Sequence, residues 1–108
     1  MNLYVVVHHQ LDNSQPWVNA WLDDRRIEAI QTTKEIGNLC RGAKERRELV
    51  YVHRCGWDEC DPVICCSAEV EAVDKIDSAT VLVRFVNATQ MNLVPRQTPT
   101  KGQNFYLV

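Results

Sequence analysis

No run of apolar residues in this 108-residue chain is long enough to cross a bilayer, which argues against a membrane-spanning helix. The opening, MNLYVVVHHQ, lacks the basic flank, longer apolar stretch and small-residue cleavage site of a secretory signal, so a cytoplasmic location is expected. Internal repeats and low-complexity tracts are absent as well. With 45% hydrophobic and 24% charged residues, the composition excludes disordered and fibrous classes. There is no paired C-x-x-C repeat and no catalytic or cofactor motif of high specificity, so the pattern speaks to fold class before activity, and no cofactor is expected. What remains is one domain, long enough to bury about two thirds of the surface of its extended chain.

Five cysteines are present, Cys40, Cys55, Cys60, Cys65 and Cys66. The count is odd and no export signal precedes them, so they read as small buried hydrophobes and not as disulfides. Cys65 and Cys66 are adjacent in an expected strand and should point to opposite faces. The net charge of −2 conceals an asymmetry. Arg25, Arg26, Lys34, Arg41, Lys44, Arg46 and Arg47 crowd one stretch, whereas Asp58–Asp77 is acidic but for Lys75. A basic side permits an anionic partner, and a solvated helix face explains it equally well.

The chain is organised around Leu49–Val73, two arms rich in β-branched and aromatic residues that read as neighbouring strands broken by the acidic WDECD. In the second arm Ile64, Cys66, Ala68, Val70 and Ala72 alternate with Ser67, Glu69 and Glu71, the mark of a strand with one dry face. Leu3–His9 reads as a strand buried on both faces. Asn13 or Ser14 would cap a short helix placing Trp17 and Trp21, four apart, on one side. Arg26–Thr32 follows as a strand. Thr32-Thr33-Lys34-Glu35 has the capping-box pattern, after which Ile36, Leu39, Cys40 and Ala43 recur at helical spacing. Gly37 and Gly42 weaken that helix, and Arg46 and Arg47 suit its negative end. Ala79–Ala88 is a further strand, Thr89–Gln103 an extended loop, and Phe105–Val108 a closing strand. The expected class is α+β: a small mixed β-barrel or curled sheet of five to six strands with two helices.

In Glu48–Gly56 and in Val63-Ile64-Cys65-Cys66-Ser67-Ala68-Glu69-Val70, with Val81–Val86 and the proline-bearing Asn87–Pro95 behind them, the chain resembles the EVE and ASCH-type domains of the PUA-like superfamily. Arg47-Glu48 replaces the family's Gly-Asp, Cys66 stands in the place of a glycine, and Arg47 falls where the ASCH pattern has an acid. The resemblance implies a compact barrel with a cleft that receives a nucleobase, often a modified one, and hence RNA or DNA as the partner.

Three loops would then converge on one rim: His8–Trp17, Thr32–Lys34 and Arg54–Trp57. They would unite Trp17, Trp57, Thr33, Lys34 and Arg54 as a nucleic-acid-binding set: indoles to stack on bases, a helix N-terminus for phosphate, and a guanidinium for phosphate or a base edge. Set against this, Trp57 would be an exposed hairpin aromatic and Arg54 a partner of Asp58 or Glu59. His53, Cys55 and Cys60, with Cys65 or His8 and His9, carry zinc-binding atoms at a spacing too loose to read as a metal site. Cys55 with His53, or Cys66 with His8 or His9, are the only sensible thiol–imidazole pairs. A nuclease would use His8, His9 and His53, with Arg54 or Lys34 on phosphate. The expected function is therefore a non-catalytic binding module for a base in nucleic acid. The alternatives are a small His/Cys hydrolase or nuclease, or an interaction domain that forms a homodimer.

Overall fold

In the computed structural model, residues 1–8, 19–55, 60–100 and 102–108 are described. Seven strands form a single mixed sheet in the order β2-β3-β6-β5-β4-β1-β7. They are β1 (Leu3–His8), β2 (Asn19–Asp23), β3 (Arg26–Thr33), β4 (Val50–Cys55), β5 (Cys60–Lys75), β6 (Thr80–Leu93) and β7 (Phe105–Leu107), with the helix α1 (Lys34–Glu45) between β3 and β4. β1 and β4 run parallel and every other pairing is antiparallel.

The expected barrel with two helices is corrected on each count. The sheet curls but stays open between β2 and β7, and α1 is the one helix among the described residues. Its edges explain the failure to close: β2 is bulged twice against β3, and β7 is three residues long. Neither offers the continuous ladder that closure needs. The extra strand comes from the stretch expected as a helix. Asp23 pairs with Arg26 around a two-residue turn, Asp23 Oδ1 accepts from the Arg25 amide at 2.9 Å, and Arg26 Nε reaches Asp23 Oδ2 at 2.8 Å. That hairpin makes Trp21 a strand residue and not the helical one expected from its spacing to Trp17; Trp17 itself lies outside the described residues.

β6 runs on to Leu93, where an extended loop was expected from Thr89. Asn87 sits at φ 55°, a left-handed conformation Asn tolerates, and the register shifts opposite it. The strand thereby bends and continues along Ile64–Ser67. β5 is likewise bulged between Ile64 and Cys66, so Cys65 and Cys66 are both buried, with their sulfurs 4.0 Å apart instead of on opposite faces.

The core lies between the sheet and α1, where Ile36, Cys40 and Ala43 meet Val5, Val52, Ala68 and Val81. Thr33, not Thr32, caps the helix, its Oγ1 accepting from the Ile36 amide at 3.4 Å; Thr32 is buried in β3. At the other end Glu48 N–H donates to Ala43 O (2.9 Å) and Arg47 N–H to Lys44 O (3.1 Å), the Schellman pattern, with Arg47 at φ 55°. A second, smaller cluster on the sheet's outer face gathers Tyr4, Ile64 and Tyr106. None of the described helices is long and apolar enough to cross a membrane.

Candidate functional site

The strand directions separate the residues expected at one rim. Thr33 pairs with Thr80 at the start of β6, beside the Lys75 end of β5, and Arg54 belongs to the end of β4 that pairs with Cys60. Lys34 and Arg54 thus stand at opposite ends of the 16-residue β5. Lys34 is exposed and adds to the field that, after the amides of Ala79 and Thr80, holds the Asp77 carboxyl below its usual range. Arg54 Nη1 donates to Asp24 O at 2.8 Å, at the β2–β3 turn, a partner no sequence spacing suggested. His8 and Cys55 are register neighbours, so the ends of β1 and β4 do meet; the third connection does not join them. Trp57 lies outside the described residues, as does Trp17.

The curl does bring β1 across from β3, and a cleft opens there. Its polar lining is Asn19, Gln31, Thr32 and Asn104, and its apolar wall is Val5, Val7, Ile30 and Ile36. The volume is about 20 Å³, room for one group the size of a water molecule. Thr32 and Ile36 bracket the capped start of α1, so Thr33 and Lys34 adjoin this cleft through the chain. Asn19 opens β2, and Asn104 is tied down where its carbonyl accepts the Val6 amide at 2.8 Å. Neither asparagine carried a signal in sequence, because neither belongs to a motif: Asn19 is the first residue of β2 and Asn104 directly precedes β7. Beyond the cleft, α1 exposes Lys34, Arg41 and Lys44 against Glu35 and Glu45. A wider depression of about 220 Å³ lies over Ala29, Leu82 and Phe85, but Glu28 and Glu71 flank its single cation, Arg84. Phosphate would be repelled there.

The residues considered for catalysis are placed differently. His53 is 0% exposed. Its Nε2 is 2.6 Å from the Tyr106 hydroxyl and its Nδ1 3.2 Å from the Asp61 carbonyl. Burial pulls the imidazole pKa below 6.5, opposed by the bond to the Asp61 backbone and by the Asp61 charge. Burial, with Tyr4 nearby, pushes the Tyr106 phenol up to about 12. Tyr51, Tyr4 and Tyr106 are register partners on β4, β1 and β7, and their rings stack in one row with centroids 5.1 and 4.7 Å apart.

Cys40, Cys65 and Cys66 are free and buried. Burial raises the Cys40 thiol to about 12, and the bond to Cys66, then burial, raises Cys65. Cys55 is disulfide-bonded, which corrects the expectation of reduced cysteines throughout. Its strand position faces Cys60 across the β4–β5 ladder, a proximity the linear spacing hides. Disulfide bonding removes Cys55 as a thiolate nucleophile or zinc ligand. Among the described residues no three of His, Cys, Asp and Glu converge on a metal position.

Compared with known proteins, the chain matches no family model, no curated protein and no solved structure.

Proposed function

We propose that this domain binds, without chemistry, a base presented by RNA or DNA, and that the cleft between β1 and β3 receives one small substituent of that base. The observation that carries the reading is the cleft's lining: uncharged hydrogen-bonding side chains over an apolar wall, the composition of binding pockets in general. Asn and Gln amides offer a donor and an acceptor side by side, the pairing that fits a base edge. A volume of about 20 Å³ suits an exocyclic methyl or amino group and not a whole ring. The exposed cations of α1, which begins beside the cleft, would supply the salt-sensitive attraction to phosphate.

A nuclease built on His53 has less support, because that imidazole is sealed from solvent and both ring nitrogens face protein groups. The resemblance to EVE and ASCH-type domains implies a base-receiving cleft too. Fluorescence anisotropy with short RNA and DNA strands, modified and unmodified, tests it at low salt. Binding should weaken as salt rises, and Gln31→Ala or Asn104→Ala should reduce affinity by about five- to a hundredfold. No binding to any strand at low salt, or undiminished binding by both folded variants, would sink the proposal.

A further inference from the structure

Residues 94–100 follow β6 as a strap that meets the row of tyrosines at Gln97, on the sheet's outer face. Pro99 is buried in this strap, and the Tyr106 hydroxyl lies 2.9 Å from Gln97 O. Three contacts therefore meet around His53 and Tyr106: Nδ1 with Asp61 O, Nε2 with the phenol oxygen, and the phenol oxygen with Gln97 O. Two of the outer atoms are carbonyl oxygens, which only accept. A neutral imidazole brings one hydrogen and the phenol brings one, so three contacts share two hydrogens.

Each neutral arrangement leaves something undone. If Nδ1–H serves Asp61, the phenol donates to Nε2 and Gln97 O loses its donor. If Nε2–H serves the phenol, the phenol can donate to Gln97 O, but the Nδ1 lone pair then faces the Asp61 carbonyl. Only an imidazolium supplies the third hydrogen.

We propose that His53 and Tyr106 form a proton-operated latch on the strap of residues 94–100. With a neutral imidazole the phenol hydrogen turns to Nε2 and the strap is released at Gln97. With the imidazolium, Nε2–H donates to the phenol and the phenol's own hydrogen holds Gln97.

Among the described residues, the groups around the imidazole are few. Tyr4 faces it from β1 with its ring centroid 6.4 Å away, Tyr106 from β7 at 5.6 Å, and Asp61 from β5; Val6 and Ile64, its strand-register partners, are apolar. On the strap itself Arg96 is exposed. Asp61 is thus the one described carboxylate that favours the imidazolium, working against burial. Further along the chain, the Asn104 carbonyl holds the Val6 amide and Asn104 lines the β1–β3 cleft, so the latch lies a few residues before the cleft wall in sequence.

The test combines imidazole nitrogen-15 shifts with amide hydrogen exchange in the strap, corrected for intrinsic rates, between about pH 5 and 8. His53 should carry its hydrogen on Nδ1 at the upper end and on both nitrogens at the lower. Strap protection should rise about two- to tenfold as the imidazole protonates, the worth of one hydrogen bond. Tyr106→Phe should abolish that rise. An Nε2–H tautomer at the upper end, an imidazole neutral throughout, or strap protection that stays flat or falls on protonation would overturn the proposal. So would a pH-dependent rise that persists in Tyr106→Phe. Should that variant not fold, the wild-type shifts and exchange decide alone.

Discussion

A Cβ placed on Gly37 would lie 2.6 Å from Val81 Cγ2, so α1 rests on β6 closer than any side chain at that position permits. Val81 is itself buried and has little room to yield. Gly37→Val should destabilise the fold by about 1–3 kcal/mol through overpacking, and Gly37→Ala should also be destabilising despite its better helix propensity. Urea denaturation of the two variants checks this. A midpoint unchanged in both would show that the helix does not sit as closely as described.

Arg47 ends the helix in a left-handed conformation, at φ 55°. A β-branched side chain fits that region poorly and glycine fits it freely. Arg47→Val should therefore cost roughly 1–2 kcal/mol, while Arg47→Gly should be tolerated with little loss. Thermal unfolding of the pair separates backbone strain from loss of the charge, since both variants remove the guanidinium.

His53 ties stability to pH. Its folded pKa lies below the ordinary 6.5 because burial disfavours the imidazolium. The unfolded chain therefore binds the proton more readily. The stability contributed by His53 is fully present above about pH 6.5 and is lost as pH falls through the folded value. Denaturant midpoints measured across that range should decline towards acid in the wild type and decline less in His53→Gln. Global stability and the local strap then respond to acid with opposite signs. A curve for His53→Gln parallel to the wild type would remove His53 as the source.

Much of the sheet was legible in residue order. β4, β5, the first part of β6 and β7 were anticipated from alternation and β-branched runs, because such patterns report a half-buried pleat directly. The amphipathic stripe of Ile36, Cys40 and Ala43 announced α1 for the same reason. In sequence Gly37 only weakens the helix; its use is visible only against Val81. The four-residue spacing of Trp17 and Trp21 points to a helix, and only the Asp23–Arg26 turn shows that Trp21 belongs to a strand.

Residue order alone determined β1, β3, β4, β5 and the start of β6 as strands and the apolar stripe of α1, because burial leaves its period in the neighbours of each residue; β2, the far half of β6 and the shared burial of Cys65 and Cys66 were not in it. The fold decided everything that depends on strand direction and order: that Lys34 and Arg54 lie at opposite ends of β5, that Asn19, Gln31 and Asn104 meet across a cleft, and that His53 is sealed beneath Tyr106. Those placements involve residues on different elements of the chain, and local chemistry does not depend on which distant strand will lie alongside.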